Sequence, residues 1–393
     1  MHIDRVRCYH YDQAFAIPFD SLQVKRSRAD SVILRLDSPS HVTGFGESAP
    51  RPYVTGEDTA SVWEIIRGVF APILFAHSLS SYADAAGILL KCEAACRQKG
   101  ITRYHSALGA VDLALLDLLD QTASSENQRP YGPRIREKLT FSASVPFLPL
   151  NLIEKFFPLL SASLDIRIIK ILIDDDLNKN VERVELIRRL AGPDRELRLE
   201  ANGKLHFHQV VRQLDHLQRF DIAAIEQPLP PADIVNFQKV RRMFDIAVIA
   251  DESLVDIESA RQLIKTRACD VFNIKISKCG GIFRAKAIAD LAKRHGINCH
   301  IGTHVGETEI LGVPGRQLAH GLSNFDAYGG GSSVLFSRFL MKTGSSQGDG
   351  VPAFKPEETV SLLHKKQITG QSRLMGDIQT DECLEVEGGG QAF

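Results

Sequence analysis

The hydrophobic and polar positions of the chain follow two different patterns, one before and one after about residue 138. In the first part, residues 31–36 alternate between apolar and polar side chains as a strand does, and residues 44–48 end a second strand-like piece. Three stretches with helical spacing follow, at residues 61–75, 82–98 and 105–121. Strands followed by helices predict an α+β unit.

From about residue 138, short β-prone runs alternate with amphipathic stretches of helical spacing. Seven strands are predicted, at residues 139–143, 166–172, 197–200, 222–226, 247–251, 271–275 and 298–302. Helices are predicted after them, for example at residues 180–189, 209–218, 233–243, 257–266 and 283–295. An eighth strand is weakly indicated near residues 324–328. This cadence predicts parallel βα units, and eight such units close a barrel.

We therefore predict an α/β chain with two domains, as its 393 residues also suggest. Residues 1–125 form an N-terminal α+β domain and residues 126–345 a TIM-like (β/α) barrel, while a loop-rich segment at residues 345–393 packs back on the first domain. A doubly wound sheet is the alternative, but no glycine-rich phosphate turn follows an early strand. The late glycine run at residues 329–333 is interpreted as a flexible turn, with an anion cradle as the alternative.

Composition and charge narrow the range of partners. The formal net charge is -1, so no strong electrostatic field favours nucleic acid or a membrane surface. The N-terminal residues lack the apolar region of a signal peptide, and no apolar run approaches the length of a membrane span. The seven cysteines are odd in number and scattered, which is typical of a reduced chain. We expect a cytoplasmic protein that binds neither nucleic acid nor membrane.

The chemistry is carried by the residues near the ends of five successive predicted strands. These residues, about one βα unit apart, are Lys170, Glu200, Glu226, Asp251 and Lys275. The carboxyl ends of barrel strands meet at one mouth, where the active sites of this architecture lie. Taken alone, each residue is explained as a helix cap, a turn residue or a solvated surface residue. Five of them in successive units indicate a convergent site instead.

Convergence of three carboxylates is electrostatically costly unless a cation lies among them. Carboxylate oxygens suit Mg²⁺, which keeps open positions for water and substrate oxygens. A lysine near such an ion has a lowered pKa, and a neutral lysine is a usable general base. The pattern therefore predicts one Mg²⁺ beside two acid/base lysines.

Four short motifs end the third to sixth predicted strands. They read LRLEANG at residues 197–203, AIEQPL at 224–229, IADES at 249–253 and NIKISKCGG at 273–281. In this order and spacing they resemble the barrel motifs of the enolase superfamily, in the muconate-lactonizing enzyme subgroup of the mandelate racemase family. Residues 44–47, 53–57 and 111–117 resemble its capping domain and the helix that leads into its barrel. The resemblance runs from about residue 1 to residue 330.

By this resemblance, Glu200, Glu226 and Asp251 are the ligands of one Mg²⁺ per subunit. Lys170 and Lys275 then face each other across the substrate as acid/base catalysts. The family removes the proton next to a substrate carboxylate to give an enolate, whose developing charge a bound metal stabilises. The partner is therefore a small-molecule carboxylate, and we expect a homo-oligomer.

Further residues are expected near the substrate or behind the ligands. They are Asn202, Glu252, Thr303, His304, Glu307, Asp326 and Tyr53. His304 is more simply explained as a packed polar residue, and Asp326 equally well as a substrate-ammonium partner or as a satisfied loop residue. Loops at residues 19–24 and 50–55 are expected to close over the substrate.

Three positions depart from the family pattern. Ile168 stands where the subgroup has the first lysine of Lys-x-Lys, which removes a cation that would lower the pKa of Lys170. Glu200 stands where aspartate is usual, so its oxygens reach one methylene further. The eighth-strand region after Asp326 lacks the second aspartate of the Asp-x-Asp motif of dipeptide epimerases.

The preferred interpretation is a Mg²⁺-dependent isomerase that racemises or epimerises a dipeptide or an N-acylamino acid, since a lysine on each face favours 1,1-proton transfer. Cycloisomerisation of the muconate type and dehydration of the o-succinylbenzoate synthase type use the same core and are alternatives. An inactive barrel that only binds metal is an alternative of another class. The substrate is not named by the sequence, because specificity lies in the capping loops and the eighth-strand region.

Overall fold

The protein, seen in a computed structural model, is described over residues 1–20, 25–121, 130–163, 166–329, 369 and 372–380. Its N-terminal part begins with five strands: β1 (Arg5–Tyr11), β2 (Ala14–Asp20), β3 (Lys25–Arg28), β4 (Ser31–Asp37) and β5 (Thr43–Ser48). β1, β4 and β5 are neighbours in one antiparallel sheet, whereas β2 and β3 form a separate hairpin. We call this part the cap.

Four helices complete the cap: α1 (Thr59–Ile65), α2 (Ala71–Ala76), α3 (Tyr82–Gln98) and α4 (His105–Asp120). A π-helical segment, Ile66–Phe70, joins α1 to α2. The approach of α4 to β5 requires a glycine, because a Cβ atom at Gly46 would lie 1.9 Å from the carbonyl oxygen of Ala110. The stretch Thr59–Ala76 is long and apolar enough to cross a membrane by length and composition alone; its side chains Ile66 and Phe70 lie in the hydrophobic core.

Eight parallel strands form a closed barrel. They are β6 (Phe141–Val145), β7 (Ile166–Leu172), β8 (Glu196–Glu200), β9 (Ile222–Glu226), β10 (Ala247–Ala250), β11 (Val271–Lys275), β12 (Asn298–Gly302) and β13 (Phe325–Gly329). The helices of this part are α5 (Leu150–Ser163), α6 (Leu177–Ala191), α7 (Phe207–Leu217), α8 (Ile234–Met243), α9 (Ile257–Thr266), α10 (Ile276–Cys279), α11 (Ile282–Arg294) and α12 (Glu309–Gly321). Gln218–Phe220 adds a 3-10 turn. A last strand, β14 (Arg373–Gln379), returns to the cap and pairs antiparallel with β1.

The cap is joined by hydrogen bonds to segments that follow the carboxyl ends of two barrel strands. After β11, the hydroxyl of Ser277 accepts from the backbone N–H of Ala49 at 2.9 Å. After β12, Arg51 donates to the carbonyl of Val305 at 2.8 Å, and Thr308 donates its hydroxyl to the carboxylate of Glu47 at 2.6 Å. The cap therefore lies at the barrel mouth; we call the contact between residues 47–51 and 304–308 the seam.

The predicted fold class is confirmed: an eight-stranded parallel barrel follows an N-terminal domain that contains a sheet. The eight predicted strands agree with the observed ones within two residues at each end. Strands β1, β2, β3 and β14 were not predicted, and β14 lies in a segment interpreted as loop-rich. The domain boundaries stay predictions, because residues 122–129 and 330–368 lie outside the described residues. So do residues 21–24 of the first expected capping loop and residues 330–333 of the glycine run.

Candidate active site

The five charged residues predicted from the strand ends meet at the barrel mouth, and we call them the mouth site. Lys170 Nζ lies 3.1 Å from an oxygen of Glu226 and 3.6 Å from one of Glu200, while Lys275 Nζ lies 2.5 Å from Asp251 Oδ2. The three carboxylates offer ligand oxygens that all lie within 4.8 Å of one another. Five side chains from five strands thus form one compact charged cluster.

Strand alternation explains how these side chains reach the barrel interior. In β7, Ile169 and Ile171 pack into the hydrophobic core, so Lys170 between them points the other way. In β8, Leu197 and Leu199 also pack into the hydrophobic core, so Glu200 points into the barrel interior. Adjacent strands then bring the ligands side by side, and Glu200 and Glu226 are paired in the register of β8 and β9.

Two unusual backbone conformations lie directly after the ligand-bearing strands. Asn202 has φ +48° and Gln227 has φ +37°, in the left-handed region that non-glycine residues seldom occupy. Each such residue costs about 1–3 kcal/mol and persists only where its surroundings hold it. Gln227 is held because its Oε1 accepts from the backbone N–H groups of Asp251 and Ser253, at 3.0 and 3.1 Å. This side chain therefore ties the end of β9 to the end of β10.

Further supports come from the sixth-strand motif. The ammonium group of Lys278 is fully buried and donates to the carbonyl and a carboxylate oxygen of Asp251, at 2.6 and 2.7 Å, and to the carbonyl of Asn273 at 2.9 Å. Asn273 donates its side-chain amide to Glu226 at 2.7 Å. Gln227, Asn273 and Lys278 were not among the predicted site residues, although all three stand in the quoted motifs; their motif positions were the available signal.

Burial and charge act in opposite directions on the mouth site. Burial raises the pKa of Asp251, but Lys275 and Lys278 outweigh it and hold that pKa well below its ordinary range. Burial likewise lowers the pKa of Lys275, and Asp251 more than reverses this. Glu226, beside Lys170, has a lowered pKa, whereas burial keeps the pKa of Glu200 above its ordinary value. The lowered lysine pKa expected from the sequence requires a cation among the carboxylates, which would oppose lysine protonation.

The donor set of the mouth site fits a hard divalent cation. Glu200, Glu226 and Asp251 supply only oxygen atoms, and all three side chains are buried. Three buried carboxylates repel one another, and the ammonium groups of Lys170, Lys275 and Lys278 offset this repulsion. Oxygen-only sites with several carboxylates are typical of Mg²⁺.

The structure places most of the remaining predicted residues near the mouth or the seam. Asn202 donates its side-chain amide to Glu200 at 2.8 Å, and Glu252, next to Asp251, is buried with a pKa raised by burial to about 8. Thr303 donates its hydroxyl to the carbonyl of Gly329 at 2.6 Å.

At the seam, the side chain of Glu307 accepts from the backbone N–H of His304 at 2.6 Å. Tyr53, on the expected second capping loop, is 38% exposed.

Asp326 lies apart from this group, inside the barrel. Its carboxylate accepts two hydrogen bonds from the guanidinium of Arg198, at 2.5 and 3.0 Å. β8 and β13 are not neighbours in the barrel, so this ion pair spans the interior. Of the two explanations offered for Asp326, the geometry favours a satisfied residue, in a strand rather than a loop.

Comparison with known proteins places the chain among related enzymes. The family model described as enolase C-terminal domain-like matches residues 160–349. The hydrophobic dipeptide epimerase of Enterococcus faecalis is 27% identical over 339 residues, which cover 82% of this chain and 92% of that protein. The N-succinyl-L-Arg/Lys racemase of Bacillus cereus is 25% identical over 321 residues, covering 81% and 84%. The structure of a dipeptide epimerase from Enterococcus faecalis V583 complexed with Mg and L-Leu-L-Tyr superposes with a TM-score of 0.73, at 26% identity over 84% of this chain and 90% of that one.

Proposed function

Because the chain belongs to the mandelate racemase/muconate-lactonizing enzyme family of the enolase superfamily, we propose that it is a Mg²⁺-dependent racemase or epimerase of a dipeptide or an N-acylamino acid. The observation that carries this proposal is the placement of two lysines. In the barrel, three strands separate β7 from β11 in either direction around the ring, so Lys170 and Lys275 approach the mouth from opposite sides.

Opposed lysines suit a proton transfer that inverts one carbon atom. A neutral Nζ on one side removes the proton next to the substrate carboxylate, and a protonated Nζ on the other side returns a proton to the opposite face. Reversing the two protonation states lets the same pair act on the other stereoisomer. Each positioned acid or base of this kind contributes about 10²–10⁴-fold to the rate.

In this scheme Glu200, Glu226 and Asp251 hold Mg²⁺, which when bound supplies positive charge for the negative charge that develops on the substrate carboxylate. Gln227 and Asn273 keep the carboxylates in place before the substrate arrives. The cap lies at the mouth, where closure over a bound substrate would exclude water and strengthen the electrostatic interactions inside.

The proposal is tested by solvent exchange. The protein is incubated in D₂O with Mg²⁺ and a panel of dipeptides and N-acylamino acids, and deuterium at the α-carbon is followed by NMR together with the appearance of the second stereoisomer. We expect at least one compound to exchange and invert. The double variant Lys170→Ala/Lys275→Ala is the control and should do neither.

Two results would count against epimerisation. If Lys170→Ala alone abolishes a dehydration or a cyclisation while no compound is inverted, the one-base alternatives hold. If no compound exchanges but Mg²⁺ binds, the chain is an inactive metal-binding barrel. A homo-oligomer and a cytoplasmic location stay predictions, of which the first is checked by light scattering.

A further inference from the structure

His304 occupies a position beside one of the two proposed catalytic lysines. It follows β12 by two residues, and the last residue of that strand, Gly302, is paired with Lys275 in the register of β11 and β12. The side chain is only 5% exposed. This register places His304 just beyond the carboxyl end of the strand beside Lys275, and among charged groups the Lys275 ammonium contributes most to lowering the pKa of His304.

The cap determines which ring nitrogen of His304 carries the proton. Nδ1 lies 3.0 Å from the carbonyl oxygen of Ala49, and a carbonyl only accepts, so Nδ1 is the donor. Burial, helped by Lys275, holds the pKa of His304 well below its ordinary value, which keeps the ring neutral. Nε2 therefore has a free lone pair. Among the described residues it has no hydrogen-bond partner, although it is buried.

The backbone that carries the ring is held at two further points. The backbone N–H of His304 donates to Glu307 at 2.6 Å, and the carbonyl of Val305 accepts from Arg51 of the cap at 2.8 Å. A buried acceptor without a donor is unfavourable, so such an atom in a fixed orientation calls for a specific explanation. Its position beside Lys275 points to the substrate as the source of the donor.

We propose that Nε2 of His304 accepts a hydrogen bond from an N–H group on the substrate's α-carbon, which limits the substrates to α-amido acids. This inference rests on the proposed function, because Lys275 acts at the α-carbon and the amide nitrogen is bonded to that atom. Substrates without nitrogen on the α-carbon, such as those of cycloisomerisation or of succinylbenzoate formation, carry no N–H donor there. Nε2 itself is closed to bulk solvent.

The test replaces a single substrate atom. An N-acylamino acid that exchanges is compared with its O-acyl hydroxy acid, in which oxygen replaces the N–H, using the native protein and His304→Met. The native protein should prefer the amide by about 10–100-fold more than the variant does. The measured quantity is the amide-to-ester rate ratio of the native protein divided by that of His304→Met. The intrinsic acidities of the two compounds cancel in this ratio of ratios. His304→Gln, whose side-chain oxygen can accept in place of Nε2, should restore part of the preference.

A ratio of ratios near one, in a His304→Met protein that still folds and exchanges, overturns the inference while leaving the proposed function intact. Binding of the same two compounds in the presence of Mg²⁺, measured by titration calorimetry, gives the preference without turnover. If neither compound exchanges, the proposed function fails, yet the binding preference and its loss in His304→Met still decide the role of Nε2. Equal binding of amide and ester by the native protein would contradict the inference on its own.

Discussion

Two pairs of buried carboxylates, Glu226 and Asp251 at the mouth and Glu47 and Glu307 at the seam, have pKa values shifted in opposite directions. At the mouth, Glu226 and Asp251 have pKa values below their ordinary range, because lysines outweigh the effect of burial. At the seam, burial raises the pKa of Glu47 to about 7 and that of Glu307 to about 8. Burial acts in the same direction on all four groups.

The difference therefore comes from the neighbours. The mouth carboxylates contact ammonium groups within 2.5–3.1 Å, as between Lys275 and Asp251 or Lys170 and Glu226. The seam carboxylates accept mainly from neutral donors such as Thr308, and the guanidinium of Arg51 is engaged by backbone carbonyls. Glu226 and Asp251, two of the three proposed metal ligands, are therefore kept ionised, whereas the pKa values of Glu47 and Glu307 at the seam lie near or above neutral pH.

Removing a lysine from the mouth should have the largest effect. In Lys275→Ala we expect epimerisation to fall by about 10²–10⁴-fold, because one of the two proton transfers loses its base. The variant should still exchange the α-proton of one stereoisomer through Lys170. Rates are measured by NMR in D₂O, with Lys286→Ala, which removes only a pairing with Asp290, as the control. Full epimerase activity in Lys275→Ala would exclude the two-base scheme.

Neutralising one carboxylate at the mouth and one at the seam should distinguish the two regions by their effect on Mg²⁺ affinity. Glu226→Gln should weaken Mg²⁺ binding by more than about 100-fold, since loss of a ligand exceeds the 10–100-fold typical of supporting residues. Glu307→Gln is the matched control, because it also neutralises a buried glutamate. The new side chain can still accept the hydrogen bond from the His304 N–H, and the Mg²⁺ affinity should be unchanged. Titration calorimetry measures both; equal affinities would remove Glu226 from the ligand set.

A smaller effect is expected for a residue that supports the ligands. Asn273→Ala removes the side-chain amide that donates to Glu226 at 2.7 Å, so the carboxylate is less well oriented. We expect Mg²⁺ affinity to fall by about 10–100-fold. Asn324→Ala, just before β13 and bonded to the backbone carbonyls of Ala289 and Ile297, is the control. An unchanged Asn273→Ala titration would show that Glu226 needs no such support.

The seam predicts the pH dependence of stability. The pKa of Glu307 is near its ordinary 4.5 in the unfolded chain and about 8 in the folded one, so the folded state binds more protons between these values. The free energy of unfolding therefore falls as pH rises across this window, by at most about 1.4 kcal/mol per pH unit. Glu307→Gln should remove that part of the slope in urea titrations between pH 5 and 8. An unaltered slope would mean that Glu307 is ionised in the folded protein.

The mouth site was largely predictable because its determinants are local. Glu200, Glu226 and Lys275 each end a strand inside a short motif, and the topology of a parallel barrel then brings strand ends together. The seam was not predictable in this way, since Thr308 and Glu47 are 261 positions apart and no periodicity links them.

Asp326 illustrates a second limit of the sequence. Its resemblance to the first aspartate of the Asp-x-Asp motif suggested a side chain near the substrate, but in the barrel it pairs with Arg198, and the pairing of β12 with β13 is irregular between Phe325 and Tyr328. Similarly, the role of Gln227 depends on a left-handed backbone conformation, which the presence of a glutamine in the sequence does not predict. Register and strained turns are properties of the packed barrel rather than of a short segment.

The pairing of β1 with β14 has a consequence for the order in which the molecule is built during synthesis. Arg5 of β1 donates to Asp377 of β14 at 2.8 Å across 372 positions of sequence. All eight barrel strands leave the ribosome before β14 does, so the edge of β1 that pairs with β14 stays unpaired while the barrel can already close. Contacts at such separation form late and slowly. The newborn chain therefore has the five charged side chains of the mouth site before the sheet of the cap is complete.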